Sequence, residues 1–143
     1  MQMRLTMLAA PALLLAACGQ GGDANVPGDT GDDSAYAGIA EDAVINLAGT
    51  EPFWGGSVEG GWLTYTTPEN MDGQRLSVTR FAGRGGLSFS GVLEGQAVDL
   101  AVTPGTCSDG MSDRTYPYVA TLQLGDTQRH GCAWLEGDEM GEP

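Results

Sequence analysis

The stretch LSFSGVLEGQAVDLAVT, residues 87–103, decides the fold class. Leu87 and Phe89 alternate with Ser88 and Ser90, and Val98, Leu100 and Val102 alternate with Asp99 and Ala101. A period of two sends one set of side chains to a buried face and the other to water, as a half-buried strand requires. Between the runs, Glu94-Gly95 supplies the chemistry of a tight hairpin turn.

The pattern recurs on both sides. Strands are expected near 44–48, 53–59, 62–67, 76–82, 87–93, 97–103, 118–124 and 127–134, with turns at Gly60-Gly61, Gly83-Arg84-Gly85-Gly86 and Gly125-Asp126. Glycine supplies 23 of 143 residues, about twice the usual ~7 %, which favours turns over long helices. No stretch sustains a 3.6-residue period, although residues 35–45 leave room for one short helical turn. The fold class expected is all-β: a small antiparallel meander of about eight short strands, closing into a barrel or sandwich over residues 43–135. Residues 104–117 read as a structured Ω-like loop, with an Asx turn at Asp109-Gly110 and with Ser112 and Asp113 accepting backbone N–H groups.

Upstream, MQMRLTMLAAPALLLAACGQ carries one cation, Arg4, and then an apolar run from Leu5 to Ala17. That run is too short to span a bilayer and suits a signal peptide over residues 1–17. It ends Leu15-Ala16-Ala17-Cys18-Gly19, which resembles the bacterial lipobox: small residues admit the peptidase, and the Cys18 thiol takes the lipid. Two or three acyl chains anchor stably where one does not. The expectation is a lipoprotein held to the membrane through Cys18 and facing the periplasm. Gly19, where Asp would signal retention, favours the outer membrane over the inner.

The net charge of −13 includes no Lys; all six cations are Arg. So acidic a chain is unsuited to nucleic acid, whose phosphates need clustered cations. Six acids and no base fall between residues 19 and 42, and four more fall between 136 and 143. Residues 43–135 hold nine acids against five Arg, a net of −4. Sparse hydrophobicity with unopposed charge implies a solvated linker over 18–42 and an acidic tail over 136–143. With Cys18 lipidated, Cys107 and Cys132 remain, and in an oxidising envelope they are expected to pair as a disulfide. A monomer is expected.

Two stretches carry a resemblance: GTEPFW at 49–54, and TCSDGMSDRTYP at 106–117 followed by Gly131-Cys132-Ala133. Together they resemble a family of uncharacterised proteobacterial envelope lipoproteins, labelled predicted membrane proteins. The resemblance implies a small envelope domain and brings no catalytic mechanism with it. In architecture alone the chain is similar to the β-domains of heat-shock and lysozyme-inhibitor lipoproteins. Trp54 resembles the Trp that plugs one end of lipocalin-type barrels.

Catalysis finds few residues. His130 is the only His, no G-x-S-x-G occurs, and a catalytic zinc wants two or three His. Asp109 and Asp113 fall short of a calcium loop. No enzyme, metal or cofactor is therefore expected. The candidate interaction residues are Glu51, Trp54, Asp109, Met111, Asp113, Arg114 and Tyr116, with Arg114 expected to pair with Glu51. The expected role is non-catalytic binding of an envelope protein or a small ligand. The alternatives are a lysozyme-inhibitor-like protein and a carrier of small apolar molecules in a barrel cavity.

Overall fold

The computed structural model describes residues 34–138. The expected signal peptide, Cys18, the expected linker up to residue 33 and the tail from residue 139 lie outside the described residues. Eight antiparallel strands form a closed barrel in which each pairs with the next and the last returns to the first. They are β1 Ile45–Gly49, β2 Gly55–Glu59, β3 Trp62–Thr67, β4 Asn70–Ala82, β5 Leu87–Leu93, β6 Gln96–Ser108, β7 Thr115–Leu124 and β8 Thr127–Leu135. Closure runs from Ile45 against Leu135 to Gly49 against Gly131. No open sheet edge is left between strands.

The alternation read from the sequence becomes the inside of the barrel. Leu87, Phe89, Val98, Leu100 and Val102 are buried, and they meet Val58, Leu63, Leu76, Val78 and Leu122 in one hydrophobic cluster. A barrel of eight strands is just wide enough for such side chains to fill.

Three local differences from the sequence reading have physical causes. β4 begins at Asn70, six residues before the expected 76, because Asn70–Arg75 carries no buried apolar residue to mark a strand. A register shift between Tyr65 and Thr67 absorbs the irregularity there, and Gly73 takes φ 80°. β6 runs through Pro104 and Gly105 to Ser108, and β7 starts at Thr115. The expected Ω-like loop is thus a hairpin extension whose pairing resumes at Cys107 and Tyr116 after a register shift past Pro104. Proline removes a ladder donor, which makes the segment read as a loop although a bulge carries the strand through.

The third difference concerns the linker. Its last residues belong to the folded unit: Tyr36 donates its N–H to Gly83 O at 2.6 Å, and Ile39 is only 2 % exposed. Acidic, Gly-rich composition masks these two apolar side chains, which cover one mouth of the barrel as a strap over residues 36–43. The strap holds a turn and no helix, with Ala43 N–H on Ala40 O at 3.3 Å. Burial raises the pKa of the Tyr118 phenol, with Tyr36 adding to the effect. At the other terminus, Glu136 N–H donates to Val44 O and Asp138 caps Leu135 N–H, so the first tail residues also join the barrel.

Candidate functional site

In an up-and-down meander, successive connections alternate between the two ends. The strap, the 60–61 turn and the 83–86 turn therefore share one end, here the strap end. The connections at 50–54, 68–69, 94–95 and 125–126 share the other, the cleft end.

At the strap end an inward arginine is satisfied by its own chain. Arg80 pairs across the sheet with buried Phe89, which places it on the interior face. Its Nη2 donates to Ile39 O at 3.0 Å, and Nη1 lies 3.9 Å from Glu41 Oε1. The void left there is only about 30 Å³.

At the cleft end, Trp54 closes the interior. Its ring is 5 % exposed, lies 6.3 Å from Tyr65 by centroid, and donates Nε1–H to His130 O at 3.0 Å. The ring occupies the space a side chain on Gly49 would fill. Gly49 N–H donates to Trp54 O and Thr50 N–H to His130 O, which clamps the loop against β8. The Glu51-Pro52 peptide is cis.

Outside Trp54 lies a cleft of about 700 Å³ between the β1–β2 and β3–β4 connections. Glu51, Pro52 and Phe53 line one side, Thr67, Pro68 and Glu69 the other, and Arg129 its β8 wall. A second hollow of about 250 Å³ shares Phe53, Thr67 and Pro68 and extends to Met71. Phe53 and Met71 are 48 % and 75 % exposed, an apolar rim beside two carboxylates and a guanidinium.

Arg129 pairs with Leu122, which is fully buried, so by alternation its side chain belongs to the interior face at this mouth. Its Nε–H is buried and has no hydrogen-bond partner among the described residues. Neither Glu51 nor Glu69 lies within ion-pair distance of it. Buried donors are satisfied in the great majority of cases, so an orphan one calls for an explanation.

The remaining sequence candidates form a separate group on the β6–β7 hairpin. Cys107 is disulfide-bonded to Cys132, closing a separation of 25 residues. Cys132 and Trp134 alternate with inward Ala133 and so project outward from β8. The disulfide, together with Tyr116 packed 5.2 Å from Trp134 by centroid, draws the far half of the hairpin against the outer wall of β8. At the tip, the Asp109 carboxylate accepts N–H groups from Met111 at 3.0 Å and Ser112 at 2.8 Å, and the Ser112 hydroxyl at 2.9 Å. The backbone donors of Ser112 and Met111 lower the Asp109 pKa from its ordinary 3.8. Arg114 N–H donates to Ser112 Oγ at 3.3 Å. The Asx turn expected from the sequence is present, and it is Ser112 that assists it. Met111 projects from it, 65 % exposed.

Arg114 and Glu51 do not form the expected ion pair. Glu51 follows an odd strand and Arg114 an even one, so their connections are rooted at opposite ends of the barrel. The candidate residues therefore divide: Glu51 and Trp54 at the cleft, and Asp109, Met111, Asp113, Arg114 and Tyr116 on the hairpin. Of the other tryptophans, Trp62 lies on the surface under Arg75, with the guanidinium carbon 4.6 Å from the ring centroid.

Phe53, Pro68, Glu69, Met71 and Arg129 were not among the sequence candidates. For Arg129 a signal existed, because it shares a face with the small residues Gly131 and Ala133 along β8. Reading it required knowing which face was inside. Among the described residues, no three His, Cys, Asp or Glu are grouped to hold a metal ion. No family model, no curated protein and no solved structure matches this chain.

Proposed function

We propose that this protein is a lipid-anchored domain of the bacterial envelope, without catalysis of its own, that uses the cleft end of its barrel to bind a partner molecule. The observation that carries the reading is the asymmetry of the two mouths. One is covered by the chain's own strap and its arginine is satisfied, while the other presents a cleft with an apolar rim and an arginine that no described residue pairs. The lipobox at Leu15–Cys18 supports the anchor, and Gly19 favours the outer membrane over the inner. The strap, the described segment nearest to Cys18 in sequence, lies at the barrel end away from the cleft. The interior is filled by side chains, which directs any apolar ligand to the cleft and away from the barrel axis. Glu51 and Glu69 at the rim favour one alternative, inhibition of a strongly basic lysozyme, and undiminished lysozyme activity in the presence of the protein removes it.

Two measurements test the proposal. Labelled palmitate enters the wild-type protein and not Cys18→Ser. A photo-crosslinking residue at position 71 captures an envelope component that the same residue at position 81, near the strap end, does not. Absence of label removes the anchor, and equal capture at the two positions removes the cleft.

A further inference from the structure

We propose that the cleft binds a small zwitterion, with its carboxylate on Arg129, its amine beside Glu51 and Glu69, and an apolar body against Phe53 and Pro68. This rests on the binding reading above and names the chemistry of the ligand.

The two inward arginines provide the comparison. Arg80 and Arg129 occupy equivalent positions at opposite mouths, each on the interior face opposite a buried apolar residue. Arg80 is met by the Ile39 carbonyl at 3.0 Å and has Glu41 at 3.9 Å. Arg129 is met by nothing among the described residues, and its Nε–H is buried. A guanidinium cannot shed its proton at any ordinary pH, so the charge at this mouth is permanent. Its planar fork matches a carboxylate in a two-hydrogen-bond geometry, and Arg129 presents that fork to the cleft it lines.

The rest of the lining narrows the class. Glu51 and Glu69 share the cleft with Arg129 without contacting it. They oppose a ligand that carries two negative charges, such as a phosphate dianion, and favour one with a cation away from its carboxylate. Phe53, half exposed, and Pro52 and Pro68 on either side offer apolar surface for an uncharged body.

The test titrates the full chain with three probes of one shape: L-phenylalanine, N-acetyl-L-phenylalanine and L-phenylalanine amide. Heat of binding and tryptophan emission, which includes that of Trp54 in the adjoining hollow, are followed together. The zwitterion binds best and the acetylated acid more weakly. The amide, having lost the carboxylate, binds about tenfold more weakly or worse, as expected for a charge-assisted hydrogen bond. Arg129→Gln removes the preference for acid over amide, Arg129→Lys keeps part of it, and Phe53→Ala weakens all three probes alike. Phe53 is exposed, so that variant keeps the assignment testable if the Arg129 variants fold poorly.

Equal affinity for acid and amide, an acid preference that survives Arg129→Gln, or no saturable binding of any probe at millimolar concentration overturns the assignment. The wider reading is judged separately. Crosslinks from position 71 that persist alongside any of those results leave a cleft that binds something else, and loss of both removes both.

Discussion

The indole Nε1–H of Trp54 donates to the carbonyl of His130 at 3.0 Å across 76 residues of sequence. The bond ties the β1–β2 connection to β8 where the barrel closes, and holds the ring over the core. Gly49 makes this geometry possible, because any Cβ there would overlap the Trp54 ring. Gly49→Ala is expected to displace the indole and lower stability by about 1–3 kcal/mol, the usual result of forcing volume into a packed site. Urea unfolding measures the loss, and a red shift of the folded-state tryptophan emission shows that the ring has moved. Unchanged emission with unchanged stability refutes the closure role given to Trp54.

Removing the Cys107–Cys132 bond by a double Ser substitution is expected to cost ~3 kcal/mol, from the entropy of a loop of this length. The bond lies on the outer wall of β8, so the barrel itself persists. The near-UV signal of Tyr116 on Trp134 weakens as the hairpin loosens. Thermal melts with and without reductant reproduce the difference in the wild type, and a reduced protein as stable as the oxidised one contradicts this.

Ile39→Ala is expected to destabilise by about 2–4 kcal/mol, the cost of emptying a buried aliphatic site. That is far more than any substitution in a solvated linker. Hydrogen exchange at Tyr36, whose N–H is held by Gly83 O, quickens in the same variant. If the Tm of Ile39→Ala equals that of the wild type, the strap is not part of the folded unit.

Asp109 titrates below its ordinary 3.8 because backbone N–H groups of Ser112 and Met111 bind its charged form. A depressed carboxylate stabilises its turn at pH above the unfolded value, and the contribution is lost as pH falls through the lower, folded one. The amide resonances of Met111 and Ser112 are therefore expected to shift together with a midpoint below 3.8, and Asp109→Asn abolishes the transition. A midpoint at or above the ordinary value contradicts the hydrogen-bonded turn.

How much was legible follows from which signals are local. Alternation along a strand is local, so residues 62–67 and 87–93 agree with the structure end for end, as do the turns at 94–95 and 125–126. The disulfide was legible by counting: with Cys18 read as a lipidation site and the compartment read as oxidising, Cys107 and Cys132 are the expected pair, and they are bonded. The strap was missed because Tyr36 and Ile39 sit among acids and glycines, where composition outweighs two apolar residues. The 104–117 hairpin was missed because Pro104 and Gly105 are punctuation in most contexts, and only pairing with a neighbour shows that a bulge carries the strand on.

The cleft illustrates the limit most directly. Trp54 and Glu51 were read from a single stretch, but Pro68 and Glu69 are brought beside Glu51 by the pairing of β1, β2 and β3, and Arg129 only by the closure of β8 against β1. By itself the sequence determined an all-β domain, its turns and its disulfide, because each depends on neighbours in the chain or on counting. Only the tertiary structure decided that the sheet closes as a barrel, that Ile39 covers one mouth and that Arg129 lines the other. It also placed Glu51 and Arg114 on connections rooted at opposite ends. The physical reason is that strand register and closure fix which face is inside and which end each connection occupies. Neither quantity is carried by any one segment.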